Sequence, residues 1–204
     1  MSGRRAQAAR NDQVILDAAR AVFTNDPEAP ISAVAALAGV GISALYRRYR
    51  SKEELLQRLA SDGMRRHVAE AEAAVADGRD AWTAFAEFLH RSVDAGTGAL
   101  TLRLTGTFPV TDALRRDGRA AYEATQRVLD RTRSAGALRP GIEVGDVSLL
   151  LEQLQAVQVG DERRTRQLRH RYLTLLLDGM RDPFAPPLPG PAPTLEEASR
   201  RYEE

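Results

Sequence analysis

The chain has no cysteine among its 204 residues, which excludes disulfides and thiolate metal sites and removes one mark of a secreted scaffold. It also lacks any apolar run approaching the roughly 20 residues that a membrane span requires. The first ten residues are basic but hold no apolar block of the kind that directs secretion. Lysine is nearly missing: Lys52 stands alone, and arginine supplies the other 28 basic side chains. Histidine occurs only at His67, His90 and His170, with no ligand-like spacing. No Ser/His/Asp grouping, phosphate-binding loop or paired-carboxylate signature stands out. Together these absences predict a cytoplasmic, non-enzymatic chain with no cofactor, no metal and no membrane partner.

What is present suffices for a core: 43% of the residues are hydrophobic, in a length that suits one or two compact units. Ala, Leu, Arg and Glu dominate, and alternating β-branched or aromatic runs are scarce, so an all-α fold of about nine helices is expected. Ile15, Ala18, Ala19, Val22 and Phe23 recur at i, i+3, i+4, i+7 and i+8, one stripe of a helix over 12–24 that Asn25-Asp26-Pro27 ends. Short helices are expected over 31–38, behind Pro30, and over 42–49, with Gly39-Val40-Gly41 between them. Ser51 with Glu54 three residues on is a capping box opening a long helix to about residue 75. Further helices are expected over 80–94, 111–135, 146–159 and 162–180, with a short apolar piece at 99–104. Thr194 with Glu197 repeats the capping box. Six of the ten prolines crowd into 183–193, so 183–204 is expected to be an extended, poorly packed and poorly ordered tail.

Charge is distributed unevenly. Residues 1–52 hold eight bases against four acids, a local +4, while the remainder carries −3, giving the chain its +1. A basic head on a mildly acidic body suits contact with a polyanion. Between Glu28 and Glu53 no acid occurs, yet Arg47, Arg48, Arg50 and Lys52 crowd the end of that gap. Two short helices around a glycine turn, acid-free and basic at the exit, are the construction of a helix-turn-helix whose second helix enters the major groove. Val34, Leu37, Ala38, Leu45 and Tyr49 are expected to face inward, and Ile42, Ser43, Tyr46 and Arg47 outward. Gly39-Val40-Gly41-Ile42-Ser43-Ala44 also fits Gly-x-Gly-x-x-Ala, a dinucleotide-binding fingerprint. That motif needs a buried strand before it and a second strand after it, and the alanine-rich run at 33–38 offers no such strand.

In this stretch the chain resembles the tetracycline-repressor (TetR) family. The resemblance is carried by the stripe at 15–23, Ala36-x-x-Gly39-Val40, Leu45-Tyr46-Arg47-Arg48-Tyr49 and Ser51-Lys52-Glu53-x-Leu55, and covers residues 10–60. It implies a DNA-binding head at 10–60 with its helix-turn-helix at about 30–49, and a helical ligand-binding and dimerisation body at 61–182. It implies a homodimer on a palindromic double-stranded operator, repressing transcription until a small-molecule ligand releases it. Carried over by position, Gly41, Ile42, Ser43 and Ala44 begin the recognition helix, while Tyr46, Arg47, Arg48 and Lys52 match positions that touch phosphate or base edges. Pro30 and Ala44 replace threonines common in the family, and Arg48 replaces a common histidine or aromatic residue. These departures keep open an alternative, a helical interaction protein with a degenerate reading head.

In the body, Trp82, Phe85, Phe88 and Leu89 share one helical stripe. With Leu102, Phe108, Tyr122 and Leu154 they are candidate walls of an apolar ligand pocket, with Gln126, Gln155 or His90 orienting the ligand. The same spacing also describes an ordinary core. The last two long helices are the expected dimer element. Leu168, Tyr172, Leu175 and Leu176 form one apolar stripe of the final helix, and Leu173, Leu177 and Met180 form a second.

Overall fold

The computed structural model describes residues 2–26, 28–96, 108–194 and 196–197, with backbone alone at 2–9 and 25. The described residues form eight helices and no strand: α1 (Ser2–Asn25), α2 (Ile31–Ala38), α3 (Ile42–Arg48), α4 (Lys52–Ala76), α5 (Ala81–Ala95), α6 (Asp112–Ser134), α7 (Val144–Ala156) and α8 (Glu162–Met180). The apolar piece at 99–104, with Leu102, lies outside the described residues.

Side-chain caps fix four helix starts, one of them at the capping box expected at Ser51. Ser51 Oγ accepts the Glu54 N–H at 3.2 Å, and the Glu54 carboxylate reaches back to the Arg50 N–H at 2.7 Å. Asp80, Thr111 and Asp161 accept the N–H groups of Thr83, Leu114 and Arg164 in the same way. Two boundaries differ from expectation. The first helix begins at Ser2, ten residues early, because a run of alanine, arginine and glutamine continues it beyond the apolar stripe. α7 spans Val144–Ala156 instead of 146–159. Its early end is held by the Arg169 guanidinium, which donates to the carbonyls of Gln155 at 2.8 Å and Val157 at 3.2 Å.

Two hydrophobic clusters share α4 as a common beam. Its N-terminal part buries Leu55, Leu56, Leu59 and Ala60 with Phe23, Val34 and Leu45 in the head. Its C-terminal part buries Ala71 and Ala74 with Phe85, Phe88 and Leu129 in the body. A helix of 25 residues spans about 37 Å, enough to traverse both. Phe108, just before α6, and Leu114, in its first turn, are buried in the head cluster and not in the body. The segment leading into α6 and its first turn therefore plug the reading head.

The tail is extended, as its prolines require, and no residue of 183–193 is buried, but it touches the body at a few points. Arg139 donates to the Pro186 carbonyl at 2.8 Å, and Leu188 packs on the body core. The Pro193 carbonyl lies so close to Gly145, in the first turn of α7, that a Cβ built there would stand 2.0 Å from its oxygen. Only a residue without a side chain permits that approach.

Candidate nucleic-acid interface

The reading head is assembled from α1, α2 and α3 around one turn. Gly39 adopts φ +66°, the left-handed region open to glycine, and its N–H and that of Val40 return to the carbonyls of Ala36 and Ala35. Nothing lies within 4 Å of where its Cβ would stand, so the requirement is conformational and not steric. Gly41 is in ordinary extended backbone at φ −66°, and open space surrounds it. Its value is access to the backbone at the start of α3.

α3 presents the outward face that its sequence predicts. Leu45 and Tyr49 are buried, while Ile42, Ser43, Ala44, Tyr46 and Arg47 are exposed, Tyr46 by 48%. In α2, Val34 is fully buried and Ala38 partly so, but Leu37 is 60% exposed and corrects the expectation that it faces inward. It points to one side of the stripe of Ile31, Val34, Ala35 and Ala38, which faces the head core. Pro30 precedes α2 without a side-chain cap, as a residue lacking a hydroxyl must.

Two of the expected contacts are engaged within the chain. Arg48 donates through Nε to Asp12 Oδ1 at 2.6 Å, and the Tyr49 hydroxyl donates to the same oxygen. Burial pushes the Asp12 carboxyl up, but the hydrogen bonds from Arg48 and Tyr49, with the charges of Arg48 and Arg58, outweigh it and hold it below 3.8. Burial first, and then the Asp12 carboxylate, push the Tyr49 phenol upward. Asp12 thus clamps the exit of α3 to α1, a role no local pattern announces across 36 residues. Lys52 holds its ammonium 5.2 Å from the centroid of the Phe23 ring, a cation–π contact. Arg47 makes no ion pair or side-chain hydrogen bond among the described residues.

Beside this face lies an open cleft of about 600 Å³ where α1, α3 and α4 meet the start of α6. Gln57 on α4 donates to the Pro109 carbonyl at 2.9 Å, and Ser61 hydrogen-bonds Asp117 of α6. These contacts join α4 to the segment that leads into and begins α6.

The body candidates separate. Phe85, Phe88, Leu89 and Leu154 are buried in the body core, with Trp82 and Tyr122 packed partly against it. Gln155 is buried with its amide donating to the Val93 carbonyl at 2.6 Å. Gln126 instead donates to Asp130 on the surface of α6 at 2.9 Å. Phe108 belongs to the head cluster, so it does not join the other candidates. His90 and His170, 80 residues apart, meet at Nδ1···Nδ1 2.7 Å across α5 and α8, and His170 Nε2 lies 2.8 Å from Asp94. Among the described residues no group of three or more potential ligands forms a metal site, and no helix is long and apolar enough to cross a membrane.

Residues 15–59 match the family of bacterial regulatory proteins named for tetR. Residues 77–182 match the C-terminal domain of SbtR-like transcriptional regulators. A search of curated proteins found no match. Among solved structures, the chain is similar to a TetR regulatory protein from Mycobacterium vanbaalenii, with 25% identity and a TM-score of 0.65 over 87% of this chain and 99% of that one. It is similar in fold to a TetR regulator from Streptomyces coelicolor, at 24% identity and TM-score 0.64 over 85% and 99% of the two chains. A third likeness is to the TetR-like regulator LfrR from Mycobacterium smegmatis, solved in complex with proflavine, at 22% identity and TM-score 0.63 over 82% and 96%. With both domain matches covering the helical head and body just described, the chain belongs to the TetR family of DNA-binding transcriptional regulators.

Proposed function

We propose that this chain is a homodimeric repressor that reads a palindromic operator through α3 and leaves it when a small molecule binds the helical body. The observation that carries the reading is the face of α3. Ile42, Ser43, Ala44, Tyr46 and Arg47 stand exposed on a segment where no acid occurs between Glu28 and Glu53, the sign of surface that a phosphate backbone requires. Gly41 offers open backbone beside them. Lys52 and Arg48 flank the face, the first over Phe23 and the second shared with Asp12. Two-fold pairing is supported by α8: Leu173, Leu177 and Met180 are buried inside the chain, whereas Tyr172 and Leu175 are exposed. The effector is supported by the likeness to LfrR, which is described with proflavine, and by the aromatic residues gathered around α5 in the body.

The engagement of Arg48 by Asp12 favours a second reading, in which the head has lost its operator and serves as a helical interaction module. Salt separates the two. In the regulator, binding to selected genomic fragments falls steeply with salt, with a slope of about 0.9 per phosphate contact. Arg47→Ala combined with Lys52→Ala is expected to abolish specific binding while the helical signal and melting temperature persist. Operator affinity like that of the wild type in this double variant, at about physiological ionic strength, sinks the assignment. A shallow salt slope in the wild type supports the interaction module.

A further inference from the structure

The cleft between head and body shares Arg47 and Arg48 with the reading face but adds basic side chains that the DNA-reading role does not use. Its walls carry four guanidinium groups, Arg47, Arg48, Arg58 and Arg65, against the carboxylates of Asp12 and Glu54. Asp12 is already taken by Arg48 and Tyr49, and the Glu54 carboxylate by the Arg50 N–H. Arg58 stands 3.8 Å from Asp12, and Arg65 stands 3.5 Å from Asp117. Neither makes a side-chain hydrogen bond among the described residues, and their side chains are 43% and 58% exposed. Arg58, Ser61 and Arg65 lie at i, i+3 and i+7 on α4, so they share one face over two turns. Thr111 adds a hydroxyl from the opposite wall.

We propose that this cleft binds a small multivalent anion, carrying phosphate or carboxylate groups, at a regulatory site separate from the apolar body. A volume of about 600 Å³ falls in the range of small-molecule sites. Guanidinium forks pair with either kind of oxyanion in bidentate geometry. The bound anion competes with Asp12 for Arg58 and Arg48, so it loosens the clamp that fixes the exit of α3 to α1. Binding of the anion is independent of the operator reading; only its effect on DNA rests on that reading.

The test titrates the full-length protein calorimetrically with pyrophosphate and, separately, with citrate, each at ionic strength matched with sodium chloride. Saturable binding of one anion per chain is expected for at least one probe, weakened at least about tenfold in Arg58→Gln/Arg65→Gln. Which probe binds assigns the ligand to phosphate or to carboxylate chemistry. Should the double variant lose helical signal, Arg65→Gln alone serves, since its guanidinium is the more exposed. Operator affinity without anion is expected to be unchanged in the variant, and its loss on adding the probe is expected in the wild type only. Three results overturn the proposal: no saturable binding of either probe, binding indifferent to both variants, or a salt slope for DNA reduced by about two in the variant. The last would make these arginines phosphate contacts of the duplex. Anion binding without any DNA binding would instead refute the operator reading and leave the site standing.

Discussion

His67 lies mostly buried on α4, with Nε2 2.7 Å from the Thr125 hydroxyl and its ring 5.1 Å from that of Phe88. Burial depresses its pKa to about 4 from 6.5, against a weaker opposing pull from Glu70. The unfolded chain therefore binds a proton between pH 6.5 and about 4 that the folded chain refuses. Stability from this group is complete above 6.5 and declines as pH falls toward 4, by about 3 kcal/mol at most. Denaturant melts at pH 7 and pH 5 are expected to show a loss that His67→Gln largely removes; an equal loss in both proteins would place the acid sensitivity elsewhere. None of this was legible from one histidine in a helical stripe. The outward face of α3 was legible, because periodicity alone sends Leu45 inward and Tyr46 and Arg47 outward. The engagement of Arg48 was not, since Asp12 looked like any solvated helix residue and only the crossing of α1 with α3 brings the two together.

At the scale of the element, capping chemistry made the sequence readable. Ser51 accepts the N–H expected of it, Asp80, Thr111 and Asp161 act as caps in the same way, and the boundaries they mark agree with the periodic pattern to within a residue. The end of α7 escaped because Arg169, on the next helix, supplies the carbonyl partners. α4 ends in a related way: Arg131 of α6 donates to the carbonyls of Ala74, Asp77 and Arg79. The turn between α2 and α3 depends on one residue. Gly39→Ala adds no steric contact but forces an L-residue into the left-handed region, at about 1–2 kcal/mol. Thermal or denaturant unfolding should register that cost, and Gly41→Ala, in ordinary extended backbone, should leave stability nearly unchanged. Equal effects of the two substitutions would contradict the turn geometry.

For the whole molecule, eight described helices in a head and a body were within reach of hydrophobic periodicity, and the residue pattern at 10–60 identified the head. The assignment of particular walls to a ligand pocket was not, because buried aromatic residues at helical spacing look alike whether they line a cavity or fill a core. Phe108 shows the limit, since it sits next to the body in sequence but inside the head in space. The final helix was read as apolar on two sides. Leu168, which the sequence grouped with Tyr172, Leu175 and Leu176, is buried, while Tyr172 and Leu175 remain outside with Leu176 partly covered. A dimer through this face has twice the 22.4 kDa chain mass by light scattering. Leu175→Glu, placing a charge on a side chain that is 60% exposed in the single chain, should shift it to monomer without loss of helix. A wild-type monomer at micromolar-scale concentrations would refute the pairing.

The seating of Phe108 and Leu114 in the head limits how far this regulator can be treated as interchangeable parts. A fragment stopping at the end of α4 would leave a hole where those two side chains belong. A chimera joining this head to a foreign body would need to import residues 108–114, into the first turn of α6, along with it. The seam at which such proteins can be cut and rejoined therefore runs not between α4 and α5 but through α6, past Leu114.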